Sequence, residues 1–148
     1  MTKYGEKQKK KIIDIRESVV FQLYTNVVKL TPVALQYGGR ARGNWQVSVG
    51  NPKGKVLENK TPLYQSKDQL PKANGDEGYF IENNLPYINT LEYGGYPSPV
   101  KKGTWIKNEK RYEKFSENGF SKQAPHGMVG LTVLNVKDYI ENAVKESE

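Results

Sequence analysis

The 148-residue chain carries 23 basic and 16 acidic residues, a formal charge of +7, with 36% hydrophobic residues and a mean hydropathy of −0.77. That length suits one domain spanning residues 1–148, and the low apolar share points either to long polar loops or to burial completed against neighbours. With no cysteine, one histidine (His126) and no apolar run near the roughly 18 residues of a membrane span, the composition excludes disulfide stapling, thiolate catalysis, cysteine-based zinc sites and a spanning helix.

Residues 5–30 predict one long amphipathic helix: Ile12, Ile15, Val19, Leu23 and Val27 recur at three- and four-residue steps, with Ile13, Val20, Val28 and Leu30 widening the stripe. Thr31-Pro32 ends it, because proline disfavours helical geometry in the residue before it. Lysines at its start oppose the positive end of the helix dipole, so residues 1–10 are expected to fray or to bind a partner. The charged start lacks an apolar export segment, and secretion is not expected.

Residues 33–44 read as a glycine-punctuated loop displaying Arg40 and Arg42. Trp45, Val47 and Val49 then alternate with Gln46 and Ser48, the period of a strand with one buried face. Asn51-Pro52-Lys53-Gly54 is a turn, residues 55–76 are polar with weak strand signals near Val56 and Leu63, and Gly78–Asn83 predicts a second short strand. Pro86 opens a short helix with Tyr87, Leu91 and Ile88 facing inward, stopped by Gly94-Gly95.

Residues 96–120 have no clear period and read as a long irregular loop, expected to order on contact with another protein. Pro125 opens a last helix running through Met128, Leu131, Val136, Tyr139, Ile140, Ala143 and Val144, with a strand over the β-branched stretch 129–136 as the alternative. The fold class that follows is α+β: two long amphipathic helices on one face of a small antiparallel sheet, with the long loop beside it.

Positive charge is clustered. Residues 1–16 hold six cations against two acids, and residues 101–114 again hold six against two. Lys9, Lys10, Lys11, Lys101, Lys102, Lys110 and Arg111 are therefore candidate polyanion contacts, with a solvated helix end and loop as the plain alternative. The Gly39–Gly43 segment lacks the Gly-Lys-Ser/Thr ending of a phosphate loop and reads as an arginine-presenting turn. Glu82 and Glu92 lack the further ligands that a metal or acid–base pair needs; Glu92 is expected to pair with an arginine or cap a subunit contact.

Three blocks carry a more specific signal: Thr31-Pro32-Val33 with Gly39-Arg40-Ala41-Arg42-Gly43-Asn44-Trp45; Asn83-Asn84-Leu85-Pro86-Tyr87 with Leu91-Glu92-Tyr93-Gly94-Gly95; and Ser121-Lys122-Gln123-Ala124-Pro125-His126-Gly127-Met128-Val129. In this order they resemble the neck, or tail-completion, proteins of tailed bacteriophages. The chain departs from that pattern at Ala34–Gly38 and in the length of the 96–120 loop. The resemblance implies a structural, non-enzymatic virion protein, assembled in the host cytoplasm without cofactor, metal or membrane. It implies a ring, of six copies by tail symmetry, between the head connector and the tail-tube or terminator proteins, around the channel that DNA crosses. Arg40, Arg42, Asn84, Tyr87, Leu91, Glu92, Tyr93, Gln123, Pro125 and Met128 are the expected interface residues. The runner-up is a basic DNA-binding accessory protein.

Overall fold

A computed structural model describes residues 2–34 and 38–148; Leu35, Gln36 and Tyr37, at the centre of the departure in the first block, lie outside the described residues. Helix α1 (Lys3–Leu30) starts two residues earlier than the periodicity suggests, because the Thr2 hydroxyl accepts from Gly5 N and Glu6 sits in the first turn, offsetting the lysines. Of the N-terminal residues expected to fray, 3–10 are helical. The helix stops where predicted: Thr31, held extended before Pro32, only closes a last bond to Val28.

The buried stripe of α1 keeps Val20, Val27 and Val28 of the expected set but adds Glu17 and Tyr24. Glu17, Val20, Tyr24, Val27 and Val28 are inside, whereas Ile12 is exposed. Tyr24 shifts the register, since its ring fills the core and its hydroxyl accepts from Leu63 N at 2.9 Å. Glu17 is tolerated in that stripe because Lys72 Nζ lies 2.7 Å from its carboxylate.

A short helix α2 (Arg40–Gly43) leads into strand β1 (Gln46–Val49), which pairs antiparallel with β2 (Tyr79–Glu82) in the register Val47↔Ile81. Gln46, Val47 and Ser48 are all buried, so the expected single buried face is corrected to two. The second cover is the polar 55–76 segment, which forms no long strand but is strapped down by side chains. Asn44 Oδ1 accepts from Leu57 N at 2.7 Å, Gln46 Nε2 donates to Lys55 O at 2.6 Å, and the Tyr64 hydroxyl donates to Val47 O at 3.2 Å. Tyr64 also meets Tyr24 edge to face, ring centres 5.1 Å apart.

Helix α3 (Ile88–Tyr93) follows and ends at Gly94, whose φ of +81° admits glycine readily. The 96–120 region is not the irregular loop expected. It folds into two antiparallel hairpins: β3 (Thr104–Ile106) with β4 (Arg111–Glu113), and β5 (Ser116–Glu117) with β6 (Phe120–Ser121). The final helical region is broken into α4 (Val129–Leu134) and α5 (Val136–Glu146) at Asn135, which disposes of the strand alternative. Both pack on α1, with Asn26 donating to the Thr132 hydroxyl at 3.2 Å. The fold is α+β, with its core shared by α1, β1, the 63–70 strap, α3 and Met128.

Candidate functional site: a stapled motif frame and its cleft

Most residues of the three blocks are bonded within the chain. Arg42 Nε donates to Thr31 O at 2.6 Å and its Nη2 to Lys29 O at 3.3 Å, so this arginine caps the C-terminal end of α1. It is not displayed to a neighbour as expected. Thr31, fully buried, accepts from Trp45 Nε1 at 2.7 Å and donates to Val27 O at 2.6 Å. The first block is thus a joint fastening the end of α1 to the root of β1.

The second and third blocks are joined by Glu92. Its carboxylate accepts from Met128 N at 2.6 Å, Val129 N at 2.8 Å and Gly130 N at 2.9 Å. These are N–H groups that the start of α4 leaves without helical partners, and no side chain near Met128 caps them. The negative carboxylate also suits the positive end of a helix. Gly127 is required beside it: φ is +76°, and a Cβ there would lie 2.6 Å from Glu92 O. The expected arginine or subunit partner for Glu92 is therefore replaced by the chain's own backbone. Met128, expected at an interface, is fully buried and belongs to the core.

Asn84 is likewise engaged internally, donating to Lys55 O at 3.2 Å and to Glu82 Oε2 at 3.1 Å. Glu82 also receives Lys53 N and Gly54 N, tying the end of β2 to the turn after β1. Partial burial alone would raise the pKa of this carboxyl, but the donors from Lys53, Asn84 and Gly54 together hold it below its ordinary value. The folded pKa is depressed, so its contribution to stability is complete above about pH 4.5 and is lost as pH falls through the folded value. Thermal melts of wild type and Glu82→Gln should accordingly converge as the solution is acidified below that point. A gap that stays constant down to strong acid would remove Glu82 from the account of acid stability.

What the frame leaves open is a cleft of about 760 Å³ where the blocks converge. Pro32, Tyr87, Leu91, Tyr96, Pro97, Pro99, Val100 and Phe115 give it apolar walls, and Arg40, Lys101 and Gln123 line it as polar groups. Leu91 is a buried wall residue rather than a projecting contact, whereas Tyr87, Tyr93, Gln123 and Pro125 are exposed. Arg40 reaches Glu58 at 3.4 Å in an exposed pair worth little. Burial raises the pKa of Tyr96, with Tyr87 adding to the shift, so this wall is a neutral phenol at ordinary pH. His126 is exposed in the turn before Gly127.

A second uncovered surface escaped the sequence reading. Val129, Val133, Ile140 and Val144 recur at helical steps along α4 and α5, and with Leu134 they are 36–78% exposed. Periodicity assigned Ile140 and Val144 to the core, but Thr132, Val136, Tyr139 and Ala143 take the more covered positions. The excess apolar width of these helices was the available signal.

The expected polyanion contacts divide. Lys10 and Lys11 share a polar cleft with Asp14, Glu17, Glu146 and Glu148, where α5 ends beside the start of α1, while Lys9 is exposed. Lys101, Lys102 and Lys110 are exposed, and Arg111 is committed to Glu109 and Glu113. Among the described residues no cluster of three or more histidine, aspartate or glutamate side chains could hold a metal, and no helix is long and apolar enough to cross a membrane. No family model, curated protein or solved structure matches the chain.

Proposed function

We propose that this chain is a structural subunit of a tailed-phage neck, assembling as a ring, of six copies, that joins the head connector to the tail around the DNA channel. The observation that carries the reading is the apolar stripe of Val129, Val133, Leu134, Ile140 and Val144 left uncovered on α4 and α5. Five large aliphatic side chains left exposed on two consecutive helices are costly to keep in water and are what a self-associating subunit buries. Their mounting is rigid, since Glu92 fixes the start of α4 and α1 backs both helices. The motif blocks then act as the frame, and the stripe and cleft as contact surfaces toward copies of the chain, the head connector and the tail-tube or terminator proteins.

Sedimentation velocity tests this directly. The wild type should sediment as a closed oligomer, and Leu134→Asp with Ile140→Asp should sediment as a folded monomer. A wild type that remains monomeric as concentration rises would sink the ring. The phage assignment has its own check: genes for portal, capsid or tail-tube proteins should flank this one, and a metabolic operon in their place would end it.

A further inference from the structure

The β3–β4 hairpin presents an aromatic pair among basic residues. Trp105 and Tyr112 are directly opposite in the ladder, with ring centres 5.0 Å apart and planes at 58°, and they remain 46% and 54% exposed. Lys107 and Lys110, in the turn between the strands, and Lys114, just past β4, border these rings in sequence and are exposed. Alternation within β4 sends Arg111 and Glu113 to the other face, where Arg111 is paired to Glu113 and to Glu109 of the turn. Ile106, also on that side, is buried and roots the hairpin. Arg111 is thus matched by its two glutamates, while two exposed aromatic rings sit among three exposed lysines. None of those three lysines forms an ion pair among the described residues.

From this exposed ring pair and its unpaired lysines we infer that the β3–β4 hairpin is a binding surface for single-stranded nucleic acid, the rings stacking an unpaired base and Lys107, Lys110 and Lys114 meeting the flanking phosphates. Stacking needs a base face that a closed duplex hides, so single strands should be preferred over duplex. An acidic peptide would meet the lysines but leave the rings unused. The inference stands apart from the ring reading, because it rests on the hairpin and not on the stripe.

The test is fluorescence anisotropy of a labelled oligothymidylate of about 20 nucleotides, with the intact protein, alongside quenching of its tryptophan emission. Trp45 is buried and Trp105 exposed, so quenching on binding reports Trp105. Trp105→Ala with Tyr112→Ala should weaken binding at least about tenfold, and Trp105→Phe with Tyr112→Phe should restore most of it. Lys107→Gln, Lys110→Gln and Lys114→Gln together should flatten the log–log salt dependence by about 2, the share of three phosphate contacts on a single strand. Equal affinity for duplex of the same length, binding without quenching, or equal competition by polyglutamate would each overturn the proposal. So would an equal loss from Lys9→Gln with Lys10→Gln, which would put the contact on α1.

Discussion

Glu92→Ala should lower the unfolding midpoint by about 6–10 °C, far more than a partly exposed surface substitution ordinarily does. Three backbone N–H groups, of Met128, Val129 and Gly130, lose their acceptor at once. Met128 N is the most sheltered of them, next to a fully buried side chain, so water replaces the carboxylate poorly there. A capping bond is worth about 1 kcal/mol and one to a charged group somewhat more, which places the loss near 2–3 kcal/mol once partial exposure is allowed for. Glu92→Gln keeps one acceptor oxygen and should lose about half as much. Thermal unfolding by circular dichroism, with the two variants beside wild type, measures it. A Glu92→Ala midpoint within a degree or two of wild type would show that α4 is held by packing alone.

The Glu92 staple shows where sequence reasoning ran out. Its partners lie 36 to 38 residues away, and nothing in local periodicity links α3 to α4. A signal was present all the same: the helix starting at Val129 has Met128 where a serine, threonine, asparagine or aspartate cap would stand, so an acceptor had to come from elsewhere. Helix α1, strands β1 and β2 and helix α3 were legible because each carries a period or a turn residue over several positions. The hairpins of 104–121 were not, since strands of two or three residues show hardly one cycle of alternation. Interspersed lysine and glutamate masked the one informative pair, Trp105 facing Tyr112.

The site was read with a systematic bias. Motif residues were expected to project toward partners, yet Arg42, Asn84, Glu92 and Met128 are consumed by the chain's own backbone and core. A polar residue between glycines can present itself outward or satisfy orphan backbone groups, and sequence does not separate the two. The ends of α1 and the start of α4 both needed such satisfaction. The surfaces the fold leaves uncovered are instead the cleft, the exposed aliphatic residues of α4 and α5 and the hairpin, none of which is a contiguous motif.

Thr31→Val should be the second costly change, at about 2–3 kcal/mol. Valine nearly matches threonine in volume, so packing changes little and the loss isolates the hydroxyl. Among the described residues that hydroxyl is the one acceptor for Trp45 Nε1, at 2.7 Å, and it donates to Val27 O, at 2.6 Å, with Thr31 fully buried and Trp45 nearly so. Removing it strands an indole N–H and an α1 carbonyl away from water, each costing about 1–3 kcal/mol before the site relaxes. Trp45→Phe removes the other partner and should cost through lost volume, while the threonine hydroxyl keeps its bond to Val27. Because the Thr31–Trp45 bond is shared, the double variant should lose less than the two single losses combined. Urea unfolding of all four proteins yields that coupling. Strict additivity, or a Thr31→Val loss under about 0.5 kcal/mol, would mean that the α1–β1 joint is held by the Arg42 cap and core packing, and that the threonine of the first block is not what fastens it.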